Sequence, residues 1–137
     1  MSQAVNFATT NPAEFPDRLT QLQIAVQQDE LAYTAYEKYT AAGAIAVGGN
    51  VGLKTGTAGA MTIAAPIAGA QSAGGQDGTV MRIVAYDAEA YTVTGPTNCF
   101  NGADHIATFG AAIGDVLGLI ADNGIWYVWL KTGITLS

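Results

Sequence analysis

The sequence predicts a mainly β protein: a short-stranded antiparallel sandwich, barrel or β-roll, preceded by an N-terminal arm and one helix. Three observations carry that prediction. From residue 41 onward, β-branched and aromatic runs recur at spacings of roughly 8–12 residues, with turn residues between them. Glycine is abundant, 17 residues of 137, and it punctuates those runs. Residues 17–40, by contrast, contain no Gly or Pro and are rich in Leu, Gln, Ala and Glu, as a helix requires.

Taken in order, residues 1–16 carry Asn11-Pro12 and Phe15-Pro16, and each proline biases the residue before it toward extended backbone. This segment reads as an arm with a few apolar anchors, Val5, Phe7 and Phe15. In residues 17–40, Leu19, Leu22 and Val26 fall at helical spacing, and Ala25, Ala32, Tyr36 and Tyr39 lie on a roughly adjacent face. Asp17 after Pro16 suits an N-cap or first-turn acid. The run QLQIAV also alternates with period two, so a strand within this span is a second reading. Residues 41–137 then read as a β-rich oligomerising body. GAIAVGG, VGLKTG and GAMTIAAP are short and separated by Gly. QDGTVMRIVAYD, AYTVTGP, HIATFG, DVLGLIADNG, IWYVWLKTG and ITLS follow. Asp122-Asn123-Gly124 is a hairpin signal joining VLGLIA to IWYVWL. In that hairpin Trp126, Val128 and Leu130 alternate with Ile125, Tyr127 and Trp129, so both faces are bulky and both need cover.

Charged residues make up only 12% of the chain, about half the usual share. A surface so poor in charge suits a protein partly covered by other subunits, and a homo-oligomer is the expectation. A small-residue-rich monomer with a polar surface of Thr, Asn and Gln is the alternative. The net charge is −6, and the five basic residues (Arg18, Lys38, Lys54, Arg82 and Lys131) are scattered singly along the chain. Nucleic acid needs a basic stripe to neutralise phosphates, so no nucleic-acid partner is expected. The lone Cys99 excludes an intrachain disulfide and a cysteine-based zinc site. The N-terminus lacks a signal-peptide pattern and no apolar run reaches the ~18–20 residues of a membrane helix, so the chain is expected to be made in the cytoplasm without a membrane partner.

No constellation points to catalysis. His105 is the single histidine, and Asp104 beside it would point to the opposite face of a strand, so a pairing with Ser72 or Cys99 has nothing behind it. Asp77, Asp87, Glu89, Asp104, Asp115 and Asp122 flank Gly or sit where strands should end, where acids bond turn backbone. They lack EF-hand spacing, so no metal or cofactor is expected. The glycine-rich GGQDG at 74–78 has no following Lys-Ser or Lys-Thr and reads as a turn. Tyr33, Tyr36 and Tyr39, at i, i+3 and i+6, would line one helical face, packed either on the body of the domain or on a partner.

Residues 74–130 carry a turn ending Asp-Gly, the strand MRIVAY, TVTGP, an FNG turn, HIATFG, an IGD turn and a final NGxWYV hairpin. This pattern resembles head-decoration (cement) or head-fibre proteins of tailed bacteriophages. The resemblance implies a non-enzymatic, homotrimeric virion protein on the capsid surface that binds the major capsid protein and stabilises the head. It also implies jobs for residues: the 1–40 arm, through Val5, Phe7 and Phe15, as the shell-facing part, and Tyr33, Tyr36, Trp126, Tyr127 and Trp129 at the subunit interface. Similar β-modules occur in tail fibres and spikes, so the alternative is a segment that binds a host receptor or glycan by stacking Trp and Tyr on sugar rings.

Overall fold

Ten short strands build the described residues, and the chain deals the first six alternately to two sheets. The structure is a computed structural model and describes residues 36–137, which pack as one unit. Expectations that fall on residues 1–35 (the arm with Val5, Phe7 and Phe15, the part of the helical span 17–40 before residue 36, and Tyr33) lie outside the described residues.

The strands are β1 (Tyr36–Tyr39), β2 (Gly43–Ile45), β3 (Gly49–Leu53), β4 (Gly59–Ile63), β5 (Val80–Ala85), β6 (Tyr91–Thr94), β7 (Ile106–Phe109), β8 (Val116–Asp122), β9 (Ile125–Thr132) and β10 (Ile134–Leu136). A 3-10 turn at Gln71–Ala73 is the only helical element among the described residues. The first sheet has the order β1-β3-β5-β8-β9, the second β10-β7-β6-β4-β2.

In the first sheet β1, β3 and β5 are parallel, and in the second so are β2, β4 and β6. The chain runs up one sheet, crosses, and runs along the other, making three successive coils of a two-sheet β-roll. The remaining pairs, β5–β8–β9 and β6–β7–β10, are antiparallel. The mainly β class and the two-layer form are as the sequence indicates, and the expected antiparallel pairing holds for that second half. In the first half the pairing is parallel. A strand that returns to its sheet after a single pass along the other runs the same way as the strand it left, and hairpins cannot build such a ladder.

Tyr36–Tyr39, at the end of the span with helical spacing, is a strand. Its register against Asn50–Leu53 of β3 puts Tyr36 and Tyr39 on opposite faces, not on one stripe. Tyr39 packs against the core and Tyr36 is exposed.

The core lies between the sheets. Val51, Leu53, Met81, Ile83, Leu117, Leu119 and Trp126 enter from the first, Met61, Val93, Ala107 and Phe109 from the second. Tyr91 is fully buried, edge-on to Phe109 with ring centroids 6.2 Å apart. One inward row of the first sheet reads Glu37, Val51, Ile83, Leu117, Lys131 across five strands. It begins and ends in an exposed charge, and a charge at an edge discourages another strand from adding there.

Candidate functional site

The outward faces of the two sheets differ in chemistry. On the second sheet the outward rows are Ala60, Thr92, Thr108, Thr135 and Ala44, Thr62, Thr94, Ile106. Small hydroxyl-bearing side chains on a pleated surface leave it polar and uncharged. On the first sheet the outward positions hold aromatic, aliphatic and basic side chains, and these form two patches.

The first patch crosses β5, β8 and β9. Val80, Ile120 and Tyr127 are cross-strand neighbours and are 48%, 37% and 43% exposed. Beside them, the pairing of β8 with β9 slips: Gly118 faces Leu130 while Leu119 faces Val128, which leaves Trp129 as the extra residue of a bulge. A bulge breaks the alternation and re-aims side chains. Trp126 and Val128 point into the core, whereas Tyr127, Trp129 and Leu130 all lie outward. The Trp129 indole covers Gly118, where an added Cβ would sit 2.7 Å from Cε2. The hairpin that reads as bulky on both faces is therefore covered on one face by the opposite sheet. Its other face remains open.

The second patch occupies the outward side of β1, β3 and β5. Tyr86 covers Gly52, and the Tyr36 hydroxyl would lie 2.6 Å from a Cβ placed there. The two rings meet edge to face at 6.1 Å and 72°. Partial desolvation, reinforced by Tyr86, pushes the Tyr36 hydroxyl above the ordinary tyrosine range. Arg82 Nε donates to Asn50 Oδ1 at 3.1 Å. Lys38 stands in the outward row with Gly52 and Val84, and Lys54 follows inward-facing Leu53 beside Tyr86.

Of the residues assigned to a subunit interface, Tyr36, Tyr127 and Trp129 share this outward face. Trp126 does not belong with them. It is fully buried and its Nε1 donates to Ala64 O at 2.9 Å, so it is a core residue that no partner or sugar can reach. Both readings that placed Trp126 at a surface are corrected on this point. The sequence reading missed Val80, Ile120, Tyr86 and the convergence of Lys38, Lys54 and Arg82. A usable signal was present in MRIVAY, whose two alternating sets are both fit for burial or contact, as in the final hairpin.

Three of the acids serve the backbone of turns. Asp77 Oδ1 accepts from Asn123 N at 2.8 Å, and Asp115 Oδ2 accepts from Ala112 N at 3.1 Å. Asp87 Oδ2 accepts from Gly56 N at 2.9 Å, while its Oδ1 takes the Tyr91 hydroxyl proton in a hydrogen bond of 2.5 Å. The Tyr91 bond is the main cause that holds the Asp87 carboxyl below its ordinary range, with Gly56 and Lys54 adding to it. His105 is exposed, with its backbone N–H bonded to Ser137 O. Cys99 is buried, and desolvation pushes its thiol up to about 11. No protein-family model matches the chain, and no curated protein matches it.

Proposed function

We propose that the chain is a non-enzymatic structural protein of a tailed-phage particle, a homo-oligomer that binds the head shell and stabilises it. The observation that carries this reading is the contiguous apolar patch of Val80, Ile120, Tyr127, Trp129 and Leu130 on the outward face of the first sheet. Contiguous apolar surface rimmed by polar residues marks a protein contact, and aromatic residues dominate the energy of such contacts. The charged ends of the inward row direct association to the face rather than the strand edges.

The resemblance to head-decoration proteins supports the location. Its segments fall on whole elements here: the Asp77-Gly78 turn before β5, MRIVAY as β5, HIATFG as β7, and the Asn123-Gly124 hairpin between β8 and β9. In this reading three copies join through the apolar patch, and the arm ahead of β1 reaches the major capsid protein through Val5, Phe7 and Phe15.

The test is co-sedimentation with purified phage heads that lack the protein, with isolated tails as the comparison. Retention on heads and release of the heads' heat or chelator sensitivity is the expected result. Retention on tails and never on heads overturns the decoration role, whatever the oligomeric state.

A further inference from the structure

The second patch is chemically unlike the first, and the self-association reading does not use it. We infer that the outward side of β1, β3 and β5 is a binding site for an acidic polysaccharide. This inference stands apart from the capsid reading, because it rests on a different set of side chains.

Charge is segregated here. The chain carries a net −6, yet Lys38 and Arg82 stand outward on one half of one sheet face, and Lys54 follows directly on the end of β3 beside them; these are three of the four basic residues among those described. The outward positions of β1, β3 and β5 hold no acid: they are Tyr36, Lys38, Asn50, Gly52, Val80, Arg82 and Val84. Asp87 accepts from the Tyr91 hydroxyl and the Gly56 N–H and also interacts electrostatically with Lys54, so Lys38 and Arg82 are the cations with most charge to offer a ligand. Arg82 Nε bonds an amide, the Asn50 side chain, and not a carboxylate. With Nε held by Asn50, the guanidinium presents its terminal amino edge, the geometry that grips a carboxylate in two parallel hydrogen bonds.

The rings supply the second half of the recognition. Tyr36 and Tyr86 are 51% and 43% exposed and are fixed against each other over a glycine. A ring with one side held and the other wet offers an apolar surface with a polar tip, suited to a ligand that is itself amphipathic. Sugar rings have that character, with C–H faces and hydroxyl rims. Gly52 is what makes the platform possible, since any side chain there would displace Tyr86.

The spacing selects among polyanions. On a pleated sheet the backbone positions of the three cations are roughly 8–14 Å apart. Duplex DNA carries one charge per about 1.7 Å of axis, far denser than these cations, and needs more of them than three to offset the repulsion of a chain of net −6. A polysaccharide with one carboxylate on every ring or every second ring has a charge spacing closer to that of the patch.

The experiment is calorimetric titration of the full chain with a hexamer of galacturonic acid, a neutral maltohexaose, hexaglutamate and an oligothymidylate. The expected result is binding of the acidic hexasaccharide alone, weakened about tenfold by Arg82→Gln and severalfold by Tyr86→Ala. Thr108→Glu, on the outward face of the second sheet, is expected to leave it unchanged. Equal binding of the neutral sugar, preference for hexaglutamate or oligothymidylate, no binding at all, or indifference to both Arg82→Gln and Tyr86→Ala in variants that keep the wild-type circular dichroism would each overturn the inference. A wild-type chain that proves monomeric would count against the assembly reading and leave this one standing.

Discussion

Trp126 and Trp129 stand three residues apart on one strand and have opposite roles. Trp126 fills the core and satisfies its indole N–H on Ala64 O, whereas Trp129 lies across Gly118 at the surface. Replacing Trp126 with Ala is expected to cost about 3–5 kcal/mol in urea denaturation, the usual range for removing a large buried aromatic. Trp129→Ala is expected to cost under about 1 kcal/mol when unfolding is followed at concentrations low enough to keep copies apart, since half of its surface is wet in the single chain. The sequence could not separate the two, because IWYVWL is apolar at every position and alternation alone does not say which set faces inward. Asp87 gives a second residue-level expectation. Its folded carboxyl titrates below its ordinary value, chiefly through the Tyr91 hydrogen bond. A lowered folded pKa makes stability rise with pH: the contribution is present above the unfolded value of about 3.9 and is lost as pH falls through the folded one. Asp87→Asn is therefore expected to flatten the acid limb of a stability profile measured between neutral pH and strongly acidic pH. An unchanged limb would remove Asp87 from the account.

At the scale of elements, the β8–β9 hairpin was the most legible part of the fold. Asn123 and Gly124 both have positive φ, 49° and 81°, the left-handed pair that a two-residue turn between twisted strands requires. The bulge at Trp129 was not legible, since no residue in the run marks an extra unpaired position. Gly118 is the partner that makes it possible. A Cβ there would meet Leu130 Cβ at 2.8 Å as well as the indole, so Gly118→Ala is expected to destabilise by about 1–3 kcal/mol. Combining it with Trp129→Ala should recover part of that loss in a double-mutant cycle, and strict additivity would argue against the packing described. The parallel coils were hidden for a different reason. Period-two patterning reports which face is buried and is silent on the direction of the neighbouring strand. In Tyr36–Tyr39 the spacing of the tyrosines imitates a helix, but pairing with β3 decides the local structure.

At the scale of the molecule, the acidic, charge-poor composition conceals an uneven surface. Thr and Ala cover one sheet, and the other presents an apolar patch beside a basic, aromatic one. Net charge is a sum over the chain and could not show that Lys38, Lys54 and Arg82, separated by 16 and 28 residues, converge on one half of a face. The low charge that pointed to a covered surface finds a physical counterpart in Val80, Ile120 and Tyr127, but only folding places them in register. In the proposed assembly this apolar patch joins copies of the chain. It is tested most directly by the mass of the full chain in light scattering at micromolar concentration, with Ile120→Glu measured alongside. Three times the 14.0 kDa chain mass is expected for the wild type, and a single chain mass for the variant with its β-type circular dichroism intact. A wild type that scatters as a single chain, or a variant that stays assembled, would contradict it.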